Sequence, residues 1–289
     1  MDWIMGMQRA INYVEEHLTE ELDFDVVARE AAYSSFYFQR LFSLLCGFTL
    51  GDYIRNRRLT LAGEELLTSD KRIIDIGIKY GYANPRSFTR AFLKFHGVTP
   101  TEARMNGAKL KSFSRISVKV VLTGGDTINY RIVDEPAFDV IERVELHSTV
   151  GDENLRTIPK FWDNCQTDGT VEKIRELAAD KSRIFGICYG DSAGNDGTFE
   201  YSIAAPCAAD AYMPSGFRRS TVPARTWAVF ECRGPVPEAI RVLWREIFSD
   251  FFPTSGYKPT FEMDIEFYFD GDMGSSDYRS EIWIPVVKK

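Results

Sequence analysis

Ala32-Tyr33-Ser34-Ser35-Phe36-Tyr37-Phe38-Gln39-Arg40-Leu41-Phe42 returns later in the chain as Gly81-Tyr82-Ala83-Asn84-Pro85-Arg86-Ser87-Phe88-Thr89-Arg90-Ala91-Phe92. Phe38, Arg40 and Phe42 match Phe88, Arg90 and Phe92, and the copies close on Gly47-Phe48-Thr49 and Gly97-Val98-Thr99. A short apolar helical pattern precedes each copy, at Val26-Val27-Ala28 and at Ile74-Ile76-Ile78. Two short helices joined by a tight turn make a helix-turn-helix, whose second helix enters a DNA major groove. Tandem copies can read two successive grooves without a dimer.

The spacing sets the parts between and around the copies. Ile4, Met7, Ile11, Val14 and Leu18 recur as one apolar stripe, which predicts a packing helix. Asp23 and Ser34 are candidate N-caps for the second and third helices. Phe38, Leu41, Phe42 and Leu45 form the expected buried stripe of the third helix, which leaves Ser35, Phe36, Gln39 and Arg40 outward. Arg pairs with guanine O6 and N7 and Gln with adenine N6 and N7, while an exposed aromatic can meet a thymine methyl. On an isolated helix such residues are ordinary solvated surface; the duplication favours reading.

Leu50 to Leu67 predicts one long helix of about 25 Å. A rigid spacer of that size suits heads about 34 Å, one DNA turn, apart. Arg55, Arg57 and Arg58 on it are candidates for phosphate contact or for solvated surface. In the second unit Asn84 caps the helix, Pro85 opens it, and Arg86, Ser87 and Arg90 face outward.

From about Trp3 to Arg104 the chain resembles the AraC/XylS-type DNA-binding domain. The signature runs from Tyr80-Gly81-Tyr82 through Phe88-Thr89-Arg90-Ala91-Phe92 to Phe95-His96-Gly97-Val98-Thr99-Pro100. The resemblance implies two helix-turn-helix units bridged by a long helix. It also implies base reading by Ser35, Phe36, Gln39 and Arg40, then by Arg86, Ser87 and Arg90. Ala32 departs from the family's turn glycine, which Gly81 keeps. A positive φ there would cost alanine about 1 kcal/mol.

Composition bounds the rest. With 289 residues the chain has room for two cored domains, and its make-up is that of an ordinary globular protein. No apolar run is long enough to span a bilayer, and Met1-Asp2-Trp3-Ile4 lacks a signal-peptide pattern, so a cytoplasmic location is expected. Residues 1–110 hold 14 basic and 14 acidic side chains, so the net charge of -7 lies wholly in the remainder. An acidic half repels DNA and suits a neutral or cationic partner. Five scattered cysteines and three histidines lack metal-ligand spacing, so reduced thiols, no metal and no cofactor are expected.

The polar stretch Met105 to Lys111 reads as a flexible hinge, giving a DNA-binding domain over 1–107 and a second domain over 117–289. Strand patterns at Phe138–Val144, Arg183–Asp191 and Thr198–Ala205 enclose a helix from Glu153 to Cys165. A second set follows: strand Thr226–Cys232, helix Pro237–Phe251, strands Met263–Phe269 and Tyr278–Val286. The expected fold class is therefore multidomain: an all-α tandem helix-turn-helix domain, then an α+β domain of duplicated β-α-β-β units.

That second half resembles the GyrI-like effector-binding domain at Ile132-Val133-Asp134-Glu135-Pro136-Ala137-Phe138, Ile158-Pro159-Lys160-Phe161-Trp162 and Glu281-Ile282-Trp283-Ile284-Pro285-Val286. The domain order resembles Rob-type activators. The resemblance implies a carboxylate in an aromatic pocket, with Glu266 at the matching position of Glu266-Phe267-Tyr268. A carboxylate among Tyr and Trp suits a lipophilic cation of the kind sensed by multidrug regulators. The candidate pocket is Glu266, Glu281, Tyr268, Trp283, Trp162, Tyr201 and Trp227, against the alternative that the glutamates are surface-paired and the aromatics core. The expected function is a transcription regulator, an activator by resemblance, that binds promoter DNA and a small effector and touches RNA polymerase. Two alternatives stand beside it: a hydrolase using Glu266 as general acid or base, and a protein-binding module.

Overall fold

The computed structural model describes residues 2–105, 108–118, 127–149, 153–190 and 198–289. They form two compact units: Met1–Ser35 with Cys46–Val121, and Phe36–Leu45 with Leu122–Lys289.

The first unit is helical: α1 (Asp2–Glu16), α2 (Phe24–Glu30), α4 (Leu50–Thr68), α5 (Ile73–Lys79), α6 (Pro85–His96) and α7 (Pro100–Ala103). Side chains start these helices where the sequence places caps. Asp23 accepts from Asp25 N–H, Thr49 from Asp52 N–H and Asn84 from Ser87 N–H, each satisfying a donor the helix leaves open. Nineteen residues make α4 about 28 Å long. Its Leu59, Ala62 and Leu66 pack with Ile76, Tyr80, Phe88 and Phe92 as one core. The two turns share one backbone shape, with φ of 61° at Ala32 and 84° at Gly81. Alanine therefore bears the left-handed strain that glycine escapes.

Two expectations about this unit change. Asn106 and Gly107, the centre of the expected hinge and its boundary, lie outside the described residues. Beyond them, residues 108–118 form no free hinge but a strap laid on this unit. Lys111 N–H donates to His96 Nδ1 (3.2 Å), Phe113 N–H to Thr60 Oγ1 (2.9 Å) and Ile116 N–H to the Tyr53 hydroxyl (3.2 Å). Arg57 is a structural residue: it grips both Glu15 oxygens (2.8 Å each) and the Phe113 carbonyl (2.7 Å). Arg58 likewise donates to the Leu18 and Glu20 carbonyls (2.7 and 2.6 Å). Neither guanidinium is an idle surface charge waiting for phosphate.

The second unit holds α3 (Ser35–Cys46, of which Phe36–Leu45 belong here) and an antiparallel sheet ordered β1-β6-β9-β8-β3-β4-β2-β5. The strands are β1 (Tyr130–Glu135), β2 (Phe138–Ser148), β3 (Arg183–Tyr189), β4 (Thr198–Pro206), β5 (Arg218–Val222), β6 (Arg225–Arg233), β8 (Met263–Phe269) and β9 (Arg279–Lys288), with β7 (Tyr257–Pro259) on β9. Helices α8 (Asn154–Thr167) and α9 (Thr170–Leu177) follow β2. Helix α10 (Glu238–Glu246) follows β6 and runs through a π turn at Ile247–Phe251 into α11 (Phe252–Thr254). The duplication is visible in the order. From the centre outward one repeat runs β3-β4-β2 and the other β8-β9-β6. The repeats meet at the β3–β8 pair, whose middle residues Gly186 and Glu266 lie opposite each other.

Strand alternation divides the sheet's side chains between two faces. Ile265, Phe267, Trp283, Trp227, Val229, Phe185 and Ile187 form the core of one. Ile184, Cys188, Tyr201, Ile203 and Ala205 pack on the other with Phe161 and Cys165 of α8 and Ile174 of α9. By the same alternation Asp264, Glu266 and Tyr268 of β8 point to this second, helix-bearing face.

Candidate functional site

Helix α6 carries the second set of expected reading residues. Its Phe88 and Phe92 are wholly buried, while Arg86 and Arg90 are exposed and Ser87 half-buried. Ser87 also closes the cap, its hydroxyl donating to the Asn84 carbonyl at 2.8 Å. With proline at the first position and no acidic residue in the first turn, the exposed end of α6 pairs a helix N-terminus with two guanidinium groups. That arrangement suits phosphate and guanine.

Helix α3 carries the first set, and its expected outward face is covered. Phe36 is 1 % exposed and its ring lies 3.9 Å from that of Phe199. Gln39 is buried and donates to Thr149 Oγ1 (3.1 Å). Arg40 donates to Asp264 Oδ2 at 2.5 Å, lies 4.0 Å from Glu266 Oε1, and stacks its guanidinium 4.4 Å from the Trp244 ring centre. Tyr37 donates its hydroxyl to the same Asp264 oxygen (2.9 Å). Ser35 is half-buried. The expectation of an open face on α3 is corrected: the apolar side opposite its Phe38–Phe42 stripe is satisfied on the sheet.

Around Glu266 the aromatic groups converge. Trp244 Nε1 donates to Glu266 Oε1 (2.7 Å) and the Tyr268 hydroxyl to Oε2 (2.6 Å). From the other repeat, Trp162 Nε1 donates to the Tyr201 hydroxyl (2.9 Å), and the Trp162 ring meets Tyr268 edge-on at 5.2 Å. Gly186 makes the room: a Cβ there would stand 2.3 Å from the Tyr201 oxygen. Burial, then the Glu266 charge, push the Tyr201 and Tyr268 phenols well up; burial and Asp264 do the same to the Cys188 thiol. These groups stay protonated and neutral, so the negative charge of the cleft resides on its carboxylates. For Arg40 burial works against the charge, but its neighbours, Asp264 foremost and Glu266 among them, together outweigh it and hold the guanidinium protonated.

Residues 131–286, more than half of the chain, match the family described as "Integron-associated effector binding protein", and 27–106 match a "Helix-turn-helix domain". Regulatory protein SoxS of Escherichia coli is 42 % identical over 98 residues, 34 % of this chain and 92 % of SoxS. The chain belongs to the AraC-type helix-turn-helix regulators and carries an integron-associated, GyrI-like effector-binding domain. Another relative, the HTH-type transcriptional activator AarP of Providencia stuartii, is 32 % identical over 37 % of this chain and 80 % of AarP. Among solved structures, SAV2435 bound to tetraphenylphosphonium is 23 % identical, covers 55 % of this chain and 94 % of that one, and has a TM-score of 0.48.

As an AraC-type regulator the protein is a DNA-binding transcription regulator with a C-terminal effector-binding domain. Of the seven residues expected to line the regulator's pocket, four come together: Glu266, Tyr268, Trp162 and Tyr201. The other three do not. Pairing of Ile265 with Trp283 and Phe267 with Glu281 puts Glu281 and Trp283 on the opposite face from Glu266. There Glu281 is 2 % exposed and accepts from Arg131 (2.9 and 3.1 Å), Arg279 (3.1 Å) and Trp283 Nε1 (2.9 Å). Burial works against its charge, and Arg131, Trp283 and Arg279 together reverse that, leaving the carboxyl below its ordinary range. Trp227 is fully buried on that same face, 6.0 Å from Trp283. Sequence reasoning missed Trp244 and Asp264. Trp244 had a signal, since each repeat's helix carries one tryptophan, Trp162 and Trp244; Asp264 had another, being two residues from Glu266 and so on its face. Among the described residues no helix is long and apolar enough to cross a membrane, and no cluster of metal-ligating groups occurs.

Proposed function

We propose that the effector site is the cleft around Glu266 and that its effector is an organic cation bound without chemistry. The observation that carries this is the Glu266 carboxylate held between Trp244 and Tyr268, with Trp162 and Tyr201 alongside. Aromatic faces and a carboxylate together attract a cation that a neutral molecule of equal shape cannot match. Binding is favoured over hydrolysis because the nearby thiol and phenols are held protonated, which leaves them poor nucleophiles and poor bases. We further assign promoter contact to Arg86, Ser87 and Arg90 on α6 and to Ser35, Phe36, Gln39 and Arg40 on α3 when α3 is free. Activation is the sense suggested by relatives such as the activator AarP, and we propose contact with RNA polymerase as its route.

The test is calorimetric titration of the full chain with an arylalkyl quaternary ammonium and with its neutral carbon isostere. The cation binds at least tenfold tighter, and Glu266→Gln erases most of that preference. Equal affinity for the two in the unaltered protein contradicts the assignment. Gly186→Ala, which drives a methyl into the Tyr201 hydroxyl, weakens the cation without touching a charge.

A further inference from the structure

We propose that Arg40 is the cleft's resident cation, that an effector with a planar, charge-delocalised head such as an aryl amidinium replaces it, and that this exchange frees α3 to read DNA. The inference rests on the effector-site reading above and adds the ligand class and the route from cleft to DNA.

The first observation is the geometry at the guanidinium. Its Cζ lies over the Trp244 ring, 4.4 Å from the ring centre, while Nη1 meets Asp264 at 2.5 Å and Nη2 stands 4.0 Å from Glu266. The indole cannot turn freely, because its Nε1 is tied to Glu266 at 2.7 Å. An aromatic face under the guanidinium carbon and carboxylates beside two of its nitrogens fit a flat cation with in-plane N–H donors. A tetrahedral ammonium has no such edge.

The second observation is what Asp264 lacks without α3. It is 1 % exposed, and among the described residues its side chain accepts from Arg40 and Tyr37, both on α3. Its near neighbours on the same sheet face are the neutral Gly186, Cys188 and Tyr201 and a second carboxylate, Glu266, so none supplies positive charge. A buried carboxylate without a counter-charge is strongly disfavoured. Whatever takes the place of α3 must therefore bring positive charge. The rest of the seat is closely shaped: Phe36 fills against Phe199, and Tyr37 lies edge-on to Phe261 at 4.7 Å. A Cβ on Gly190 would come within 3.0 Å of the Tyr37 ring.

The third observation is the sequence position. Arg40 matches Arg90, which α6 leaves exposed for a base edge. One guanidinium cannot lie on Trp244 and on guanine at once. DNA reading by α3 and seating of Arg40 thus exclude each other, so a ligand that competes with Arg40 raises affinity for DNA, and DNA raises affinity for the ligand by the same factor.

Benzamidine is the probe, with benzyltrimethylammonium as the tetrahedral cation and benzamide as the neutral control. The DNA is a duplex selected by the full chain from a random pool. Affinities are read by titration of the full chain, with folding checked by circular dichroism. Arg40→Ala binds benzamidine at least tenfold tighter than the unaltered chain and prefers it to benzyltrimethylammonium. Asp264→Asn, which keeps the reading side chain and loosens its seat, binds the selected DNA several-fold tighter without ligand and binds benzamidine more weakly. Equal benzamidine affinity in folded Arg40→Ala and unaltered chain overturns the competition while leaving the cleft as an effector site. No rise in DNA affinity for Asp264→Asn overturns the release step, a reading that survives even where Arg40→Ala does not fold. Equal binding of the two cations by Arg40→Ala overturns the planar class. If no cation binds either chain, and Glu266→Gln changes nothing, the underlying effector-site reading is what fails.

Discussion

Helices α3 and α6 hold the same place in two copies of one motif, yet one is covered and the other open. Phe36 and Arg86 are matched positions; so are Tyr37 and Ser87, and Gln39 and Thr89. In α6 the polar members leave a wet face beside the Phe88–Phe92 stripe. In α3 the aromatic members make the helix apolar nearly all round, and such a helix needs partners on every side. The sheet supplies them for Phe36, Tyr37, Gln39 and Arg40. A duplicated motif thus keeps one arginine, Arg90, in the open and ties its twin, Arg40, to a carboxylate.

The sharpest way to break this comparison is to shave the matched pair Phe36 and Arg86. Removing the buried Phe36 ring, as Phe36→Ala, destabilises the second unit by about 3–5 kcal/mol. Arg86→Ala stays within about 0.5 kcal/mol, as exposed substitutions do. Denaturant melts followed by tryptophan fluorescence measure both, and equal losses would mean that α3 is not seated as described.

Next in size is the arginine pair. Arg90→Ala weakens specific DNA binding by about 1–3 kcal/mol and leaves the melting temperature unchanged. That is roughly 5- to 160-fold in affinity. Arg40→Ala instead lowers the melting temperature too, because it strands the buried Asp264. Electrophoretic mobility shifts beside thermal melts separate the two.

The turns offer a smaller contrast. Both have left-handed φ, but only one has glycine, so Ala32→Gly stabilises by about 1 kcal/mol. Gly81→Ala costs at least about the same, since its new methyl would stand 2.6 Å from Arg58 Nη1. Calorimetric melts read both changes.

The smallest effect compares the buried histidines. Burial holds His96 and His147 below the usual 6.5, in the neutral form. Each native site therefore resists a proton the unfolded chain accepts. Their contribution is complete above about 6.5 and is lost as the pH falls through the native values. His96 is bonded at both ring nitrogens, to the Leu59 carbonyl (2.9 Å) and Lys111 N–H (3.2 Å), so protonation also frees the strap. His147 bonds Thr157 through Nδ1, and its buried Nε2 has no hydrogen-bond partner among the described residues. Melts between pH 8 and 5 flatten in part in each of His96→Gln and His147→Gln.

Much of this architecture was readable from residue order alone, for definite reasons. The caps at Asp23 and Asn84, the long α4 and the strands of both repeats follow from local chemistry and period. The faces of distant strands do not. Glu266 and Glu281 each share a face with an aromatic neighbour, but whether the two glutamates share a face depends on a pairing that one residue's slip would reverse. Pairing of Phe267 with Glu281 settles it against the expected pocket. The seating of α3 was unreadable for a related reason: Phe36 as an outward reader and Phe36 as a buried anchor have the same spelling, and only the presence of Phe199 decides.

The most direct measurement is amide hydrogen exchange of the full chain, comparing Ser35–Cys46 with Pro85–His96, first alone and then with saturating benzamidine. The account predicts that α3 is the better protected of the two in the free protein and that the cation selectively speeds its exchange. Exchange of α3 that is no slower than that of α6, or that the cation leaves untouched, contradicts it.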